Sequence, residues 1–357
     1  MTAHPFLLAC RRQPTPYTPI WLMRQAGRYM AEYRAVRERF GFLELCHNPE
    51  AAAEVTVTAV ERLGVDAAII FADILLVLEP LEVDLQFLAG DGPTISRPVR
   101  EPEDVRRLRE YDTDDALAYV YEAVRAARAG LGGRVPLIGF AGAPFTLASY
   151  LIEGGGSRQY LRTKRFMYEH PGAWHDLLGL LARLVNRYLR AQIAAGAEAV
   201  QLFDSWVGCL SPDDYRTAVL PHARAALDGL SALAPVIHFG TDSGGLLALQ
   251  REAGGDVIGA DWRVDLDTAW ERIGHDRAVQ GNLDPITLFA PIPEIRRQTR
   301  AILARAAGRP GHIFNLGHGI LPQTPVDHVR ALVDMVHEMS QGANTDEGRR
   351  TKDEGRA

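Results

Sequence analysis

The sequence predicts a single α/β domain built as a (β/α)8 TIM barrel. Short apolar runs alternate with longer amphipathic stretches along the whole chain, and polar side chains collect directly after the apolar runs. The 357 residues are many for an average domain but normal for one barrel of this kind. A doubly wound sheet is the alternative, and it would require some of the shorter apolar runs to be loops.

Eight apolar runs are predicted to be strands. They are almost continuously apolar, which is typical of parallel strands that are covered on both faces. The predicted strands are residues 19–23, 67–71, 137–141, 199–203, 236–239, 257–260, 278–281 and 313–316.

The stretches between these runs have helical periodicity and capping residues at their ends. Asn48 and Ser211 precede two helices as N-caps, each followed by a proline. Gly64 ends the helix that Asn48 begins, and Gly130 and Gly196 end two others. The predicted helices are residues 49–63, 101–129, 172–195, 212–233, 245–252, 266–272, 292–307 and 325–339.

Residues 19–340 are predicted to form the barrel, preceded by a partly ordered leader at 1–18. The tail at 341–357 has no apolar residues apart from alanines and is expected to be disordered. No apolar run is long enough to span a membrane, and the N-terminus lacks the pattern of a signal peptide. Three scattered cysteines form no CxxC pair, so we expect a reducing, cytoplasmic location.

The net charge of −6 argues against nucleic acid as the main partner. An anionic ligand would therefore need a local cluster of arginines, and one follows the first predicted strand. Arg24 and Arg28 are four residues apart, so one helical turn would direct both towards the same point. Paired guanidinium groups suit bidentate binding of carboxylates or phosphates. The alternative is a solvated surface loop.

The ends of the second and third predicted strands also carry polar groups. Asp73 precedes an apolar run, which makes it a candidate for a partly buried carboxylate, although it can also be an N-cap or an arginine partner. The third strand leads into a segment rich in glycine and alanine that contains Tyr150. The glycines at 154–156 are interpreted as a mobile flap.

Ser205 and His318 follow the fourth and eighth predicted strands. Ser205 lies outside a G-x-S-x-G elbow, which favours a substrate-orienting hydroxyl over a nucleophile. Glycines flank His318 and favour a ligand contact over a structural histidine. The other strand ends carry His238 with Asp242, Asp261 with Arg263, and Asn282 with Asp284. No HExxH, CxxC, His-x-Cys, GxGxxG or Walker motif is present, so neither a metal nor a nucleotide cofactor is predicted.

Five segments in this order resemble the uroporphyrinogen decarboxylase family, over about residues 5–340. They are PIWLMRQAGRYMAEYRAVR at 19–37, FAD at 71–73, GAPFTLASYLIEGGGS at 142–157, QLFDS at 201–205 and NLGHG at 315–319. One departure is Trp206, where animal members tend to carry a histidine.

The resemblance implies a (β/α)8 barrel and a homodimer whose clefts face one another. It implies removal of carbon dioxide from the four acetate side chains of uroporphyrinogen III, giving coproporphyrinogen III in porphyrin biosynthesis, without metal or organic cofactor. Asp73 would stabilise the transition state. Arg24 and Arg28 would also be catalytic, but the proton donor stays open, because an arginine is a poor general acid. The implied substrate-binding residues are Arg24, Gln25, Ala26, Gly27, Arg28, Arg37, Asp73, Tyr150, Phe203, Ser205 and His318.

Two other functions remain open on the same scaffold. A corrinoid-linked methyltransferase would need a zinc-thiolate site, for which the sequence has no His-x-Cys motif. A non-catalytic tetrapyrrole-binding protein would be expected to lack Asp73 or the arginine pair, and both are present.

Overall fold

Seven parallel strands form one curled sheet in the computed structural model, which describes residues 4–88 and 92–342. The sheet order is β1-β4-β5-β6-β7-β8-β9, and β2 and β3 form a separate antiparallel hairpin. This architecture confirms the predicted α/β barrel fold in a single domain. The strands are β1 Ala68–Ile69, β2 Leu85–Leu88, β3 Gly92–Ile95, β4 Leu137–Gly142, β5 Ala199–Asp204, β6 Val236–Gly240, β7 Val257–Gly259, β8 Ala278–Gln280 and β9 His312–Ile313.

The predicted first strand at residues 19–23 is not a regular strand, although it closes the barrel between β1 and β9. A single parallel bridge joins Ile20 to Phe314, and the Ile20 carbonyl accepts a hydrogen bond from the Asp66 N–H at 2.8 Å. Side chains take the backbone donors that a ladder would use. The N–H groups of Ile20, Leu22 and Met23 donate to Asp66, Gln25 and Asn315, respectively.

The barrel interior has a polar layer beneath an aromatic one. Trp21 Nε1 donates to Gln280 Oε1 at 2.9 Å, and Gln280 Nε2 donates to Gln201 Oε1 at 3.1 Å. Because β5 and β8 are not neighbours in the sheet, this chain of hydrogen bonds crosses the lumen. Towards the carboxyl ends of the strands, Phe203 packs edge-on against Phe140 and Phe239, with ring centroids 5.5 and 6.1 Å away. The lumen is therefore filled, and its upper surface is apolar.

Helices follow the strands and cover the outside of the barrel. Asn48 caps α4 through a bond from the Ala51 N–H, and Gly64 ends that helix with a left-handed φ of 72°, both as predicted. The helices are α1 Pro5–Cys10, α2 Ala31–Arg39, α3 Phe42–Cys46, α4 Pro49–Leu63, α5 Pro102–Arg107, α6 Thr113–Ala116, α7 Ala118–Leu131, α8 Pro144–Glu153, α9 Leu161–Glu169, α10 Pro171–Ala195, α11 Pro212–Asp214, α12 Leu220–Leu227, α13 Leu247–Ala253, α14 Leu266–Ile273, α15 Ile292–Ala306 and α16 Val326–Ser340.

The helix predicted at residues 101–129 is wrong as one element, because the chain forms α5, α6 and α7 there. Leu108 turns extended after α5, and the Asp112 side chain accepts from the Asp114 N–H to begin α6. Aspartate stabilises a helix start better than a helix interior, so the segment breaks there. The last helix then continues past Gly130 and ends at Gly132, which has a φ of 58°.

The helix predicted at residues 212–233 is also wrong as one element. Ser211 caps its start as predicted, but residues Tyr215–Val219 form a π-helical turn, and α12 ends at Leu227. Pro221 lies just beyond the π turn and has no N–H to donate to the preceding turn, which explains the irregularity.

The leader packs on the barrel through α1, in which Phe6, Ala9 and Cys10 are buried. Residues 1–3 and 343–357, which include nearly all of the predicted tail, lie outside the described residues. The boundaries at 18 and 340 therefore stay a prediction. None of the helices within the described ranges is both long enough and apolar enough to cross a membrane.

Candidate active site

Polar residues from five different segments meet at the carboxyl end of the barrel. Arg24 follows the closing segment at 19–23, Asp73 follows β1, Tyr150 lies on α8 after β4, Ser205 follows β5, and His318 follows β9. Parallel strands bring these positions to the same end of the barrel, where barrel enzymes hold their chemistry.

The loop that carries Arg24 is fixed against the loop that carries His318. Asn315 Oδ1 accepts from the Met23 N–H at 3.1 Å and from the Leu316 N–H at 2.8 Å. Arg24 itself has a left-handed φ of 62°, which a residue other than glycine rarely adopts. This strained backbone, held by its neighbours, is typical of a functional position.

Both glycines that flank His318 are required by close contacts. A Cβ at Gly319 would lie 2.5 Å from Arg24 Cδ, and a Cβ at Gly317 would clash with the backbone of Trp262. The NLGHG segment therefore leaves room for the aliphatic stem of Arg24 on one side and for the loop after β7 on the other.

Asp73 is a half-buried carboxylate with only one of its oxygens occupied. Its Oδ1 accepts from the Leu75 N–H at 2.9 Å, and within the described residues the carboxylate makes no ion pair. Asp73 therefore acts as a cap through Oδ1, while its second oxygen accepts no hydrogen bond from residues 4–88 and 92–342. Burial raises the pKa of Asp73 to about 6, although the Leu75 N–H and the charge of Arg24 act in the opposite direction.

Arg24 also acts electrostatically on Tyr150 and His318. Burial raises the pKa of the Tyr150 hydroxyl, with a further contribution from Asp73, and Arg24 partly offsets that rise. Burial lowers the pKa of His318, and Arg24 lowers it further, which favours the neutral imidazole. The charge of Arg24 therefore acts on Asp73, Tyr150 and His318 alike.

The expected helical turn for Arg24 and Arg28 is wrong. Two separate turns occur instead, closed by hydrogen bonds from Gln25 to Leu22 and from Met30 to Gly27. The left-handed backbone at Arg24 is incompatible with a right-handed helical turn.

Arg28 and Arg37 form a second basic group beside Tyr33. Burial raises the pKa of the Tyr33 hydroxyl, and both arginines oppose the rise. Arg37 lies on α2, donates to the Phe40 carbonyl and stands 5.7 Å from the centroid of the Phe42 ring. Arg28 is exposed, and its side chain makes no ion pair in the described part of the chain. The arginines therefore supply positive charge at two positions, with Arg24 acting on Asp73 and the Arg28–Arg37 group acting on Tyr33.

Gln25 is buried and serves the fold with its side chain. Its Oε1 accepts from the Leu22 N–H and its Nε2 donates to the Ala67 carbonyl, each at 3.1 Å. Ala26 packs against the core, and a Cβ at Gly27 would lie 3.1 Å from the Arg24 carbonyl oxygen. Both polar atoms of the Gln25 side chain are therefore hydrogen-bonded within the protein. Ligand binding by Gln25, Ala26 and Gly27 stays a prediction, and it would involve their backbone groups.

Aromatic rings line the part of the cleft that follows β5. Phe203 is half-buried in the apolar layer described above, and Ser205 follows two residues later. The indole of Trp206 stacks on Tyr150 with ring centroids 3.8 Å apart, and Tyr160 packs edge-on at 5.1 Å. This wall suits a large flat ligand.

The remaining polar strand ends are structural. His238 is buried beside α13, where its Nδ1 lies 3.2 Å from the Gln250 carbonyl, and burial lowers its pKa to about 4. Asp261 accepts from the guanidinium of Arg263 at 2.6 Å and from the Asp242 N–H at 2.5 Å. Asn282 donates to the Asp261 carbonyl at 2.8 Å, and Asp284 caps the turn that follows.

Two residues that sequence reasoning did not assign lie directly behind the cleft. Thr146 on α8 donates to Asp204 Oδ1 at 3.1 Å, and both side chains are fully buried. Burial raises the pKa of Asp204 to about 7, and the bond from Thr146 opposes the rise. The signal available in the sequence was the spacing of Thr146 and Tyr150, which places both on one face of a helix.

No group of three or more histidine, cysteine or acidic side chains is arranged to hold a metal ion in the ranges that the structure describes. Cys10 and Cys46 are buried, Cys209 is half-buried, and all three are free thiols.

The chain is similar to known proteins along nearly its whole length. The family model for uroporphyrinogen decarboxylase (URO-D) matches residues 1–339. The uroporphyrinogen decarboxylase of Carboxydothermus hydrogenoformans is 58% identical over 336 residues, covering 94% of this chain and 96% of that protein. The protein of the same name from Chloroflexus aurantiacus is 60% identical, covering 93% and 94%.

Among solved structures, a methyltransferase from Methanosarcina mazei shares the fold with a TM-score of 0.77, covering 94% of this chain and 97% of that one. Its sequence identity is only 19%, so this likeness concerns the fold alone. The sequence relationships above are far closer, and the chain belongs to the uroporphyrinogen decarboxylase family.

Proposed function

We propose that the chain decarboxylates the four acetate side chains of uroporphyrinogen III to methyl groups, with Asp73 stabilising the transition state. Membership of the family makes the chain a decarboxylase of porphyrin biosynthesis, as the motifs predict. The roles of individual residues, the order of events and the assembly are the proposal.

The observation that carries the proposal is the state of Asp73. It is a half-buried carboxylate with one oxygen that accepts no hydrogen bond from the described residues. The charge of Arg24 acts on Asp73 and also on Tyr150 and His318. Loss of carbon dioxide from an acetate leaves an electron pair on the side-chain carbon. A pyrrole ring protonated on carbon accepts that pair, so the substrate supplies the electron sink that cofactors provide elsewhere.

Asp73 accepts hydrogen bonds from the pyrrole N–H groups in this proposal. Its negative charge stabilises the positive charge that develops on the ring when the ring carbon is protonated. Because the site is partly shielded from water, the interaction is stronger than between the same groups in bulk solvent. A proton then replaces the lost carbon dioxide on the side-chain carbon, which completes the methyl group, and the ring carbon releases the proton that it had gained, which restores the pyrrole.

The arginines bind carboxylates of the substrate. The substrate carries eight carboxylates, and the protein has a net charge of −6, so attraction must come from local positive groups. Arg24 serves the carboxylates beside Asp73, while Arg28 and Arg37 serve those on the side of Tyr33. Tyr150, Ser205 and His318 orient the macrocycle, and Phe203 supports its apolar face.

Anaerobic turnover of uroporphyrinogen III by metal-stripped protein tests the proposal. We expect stepwise appearance of seven-, six-, five- and four-carboxylate products, separated by chromatography after oxidation. Activity that returns only when a metal is added back would contradict the cofactor-free mechanism. No loss of carboxylates from protein with a normal circular dichroism spectrum would contradict the function itself.

We further propose a cytoplasmic homodimer whose clefts face one another. Support comes from the loop after β8, at the same end of the barrel as the cleft. Ile286 and Phe289 in this loop and Ile292 at the start of α15 are 58, 42 and 37% exposed, which is unusual for large apolar residues so close together. Sedimentation equilibrium at micromolar concentration measures the mass, and a monomer of 39.3 kDa would contradict the dimer.

A further inference from the structure

A buried chain of hydrogen bonds lies behind the cleft and takes no part in the proposed chemistry. The Trp206 N–H donates to Thr146 Oγ1 at 3.4 Å, and the Thr146 hydroxyl donates to Asp204 Oδ1 at 3.1 Å. Thr146 and Asp204 are both fully buried, so neither can touch a ligand in the cleft. Any influence on the reaction must therefore pass through other residues.

The geometry of α8 supplies that route. Thr146 and Tyr150 are four residues apart on this helix and therefore share a face. Trp206 contacts both of them, because its backbone N–H meets Thr146 and its indole stacks on Tyr150 with an interplanar angle of 31°. Tyr160 closes the stack from another side. A shift of the Trp206 backbone would thus displace the Tyr150 ring.

The surroundings of Asp204 favour the neutral, protonated form of its carboxyl group. Its Oδ2 is buried without a hydrogen-bond partner among residues 4–88 and 92–342, and the carboxyl makes no ion pair there. The titratable groups on which the charge of Asp204 would act are the Tyr215 hydroxyl and the Cys209 thiol. Burial raises the pKa of both groups, so both are uncharged at neutral pH. An ionised carboxylate without a partner would cost more in such surroundings than a carboxylic acid.

We propose that Asp204 and Thr146 are positioning residues, which act as a neutral hydrogen-bonded pair that fixes the Ser205–Trp206 turn and, through the Trp206 stack, the Tyr150 ring. The inference rests on the proposed function, since Ser205 and Tyr150 are assigned to substrate binding there. Their hydroxyl groups meet the substrate at set positions only while the pair is intact.

Steady-state kinetics of four variants test the positioning pair. Thr146→Val removes the hydroxyl and keeps the side-chain shape, and we expect KM to rise about tenfold with kcat within about threefold of wild type. Thr146→Ser and Asp204→Asn keep the hydrogen bond, so both are expected to stay within about threefold in both parameters. Asp204→Ala removes the acceptor and should resemble Thr146→Val. Ser149→Ala is the matched control, because Ser149 is a buried hydroxyl on the same helix that bonds only to the Phe145 carbonyl.

A second measurement needs no turnover. The near-ultraviolet circular dichroism of Thr146→Val should lose the same band as Trp206→Phe, because both variants disturb the stack of Trp206 on Tyr150. A wild-type spectrum together with a wild-type KM for Thr146→Val would overturn the inference. Equal damage from Asp204→Asn and Asp204→Ala would also overturn it, since the neutral amide keeps the hydrogen bond.

The two measurements separate this inference from the proposed function. Inactive wild-type protein would contradict the proposed function. The circular dichroism spectra would still show whether Thr146 and Asp204 fix the stack of Trp206 on Tyr150. If Asp204→Ala does not fold, Thr146→Val, which loses a single hydroxyl, decides the matter.

Discussion

Two carboxylates flank β1 and differ in how fully the protein satisfies them. Asp66 precedes the strand at the amino end of the barrel, and its oxygens accept from the Ile20 N–H at 2.7 Å, the Tyr17 hydroxyl at 3.0 Å and His337 Nε2 at 2.7 Å. Asp73 follows the strand at the carboxyl end and has one backbone donor, at 2.9 Å.

The difference separates a structural carboxylate from a functional one. The partners of Asp66 belong to the leader, the closing segment and α16, so its hydrogen bonds hold these three segments together. At Asp73 the described residues leave one oxygen without a donor, and the charge of Arg24 acts on the carboxylate. A half-buried carboxylate with a single hydrogen-bond donor costs stability, and such costs are typical of sites selected for binding or catalysis.

Among the substitutions proposed, Asp73→Asn is expected to have the largest effect on turnover. We expect kcat to fall about 100-fold or more, because the amide cannot stabilise positive charge on the pyrrole. The free energy of unfolding should not fall, since the substitution removes a buried charge. Anaerobic kinetics and urea denaturation measure the two effects. Near-wild-type turnover of this variant would remove Asp73 from the mechanism.

Gly319→Ala is expected to have the next largest effect. The new Cβ would lie 2.5 Å from Arg24 Cδ and displace that side chain, although the backbone at Gly319 is not left-handed. We expect kcat/KM to fall about 10- to 100-fold, because small misplacements of a binding group are costly.

Gly172→Ala is the matched control for this substitution. A Cβ at Gly172, in the first turn of α10, would meet no atom within 4 Å, so kcat/KM should stay at the wild-type value. Wild-type kcat/KM for Gly319→Ala would show that the place of Arg24 beside His318 has no importance for the reaction.

Much of the fold follows from local sequence signals. The Asn48-Pro49 start and the Gly64 end of α4 depend only on neighbouring residues, and the structure has both. The prediction of a first strand was wrong because two of its backbone N–H groups bond to the distant side chains of Asp66 and Asn315, 46 and 292 residues away. No local pattern can reveal such competition for a backbone N–H.

In the candidate site, too, local signals could be predicted and long-range contacts could not. Residues directly after strands, such as Asp73 and His318, could be predicted because parallel strands share one end. The buried amide of Gln25 and the Thr146–Asp204 pair could not be, since their contacts depend on the tertiary packing of segments 42 and 58 residues apart.

The pH dependence of the reaction tests whether Asp73 must be ionised. The pKa of Asp73 is raised from 3.8 to about 6, so its carboxylate form predominates only above about pH 6. We expect kcat/KM to rise about tenfold per pH unit below pH 6 and to level off above pH 7. The residual activity of Asp73→Asn should lack this step, which separates it from titration of the substrate.

Stability should move in the opposite direction across the same range. Because the folded-state pKa exceeds the unfolded value, the folded protein binds the proton more tightly between about pH 4 and 6. The contribution of Asp73 to the free energy of unfolding is therefore largest at low pH and is lost as the pH rises through about 6. A rate profile without a step near pH 6 would contradict the ionised role of Asp73.

Asp66→Asn should have the smallest effect on turnover and a clear effect on stability. The amide nitrogen cannot accept the hydrogen bonds that Ile20, Tyr17 and His337 donate, so at least one buried donor loses its partner. We expect the free energy of unfolding to fall by about 1–3 kcal/mol, measured by urea denaturation at pH 7. Asp276→Asn, which breaks an exposed ion pair with Arg251, is the control and should leave the urea midpoint nearly unchanged. Turnover should stay within about twofold in both variants, because Asp66 lies at the end of the barrel opposite the cleft. A tenfold loss of kcat in Asp66→Asn with unchanged stability would mean that a shift of residues 19–23 displaces Arg24. Asp66 would then affect the reaction, and its purely structural role would be contradicted.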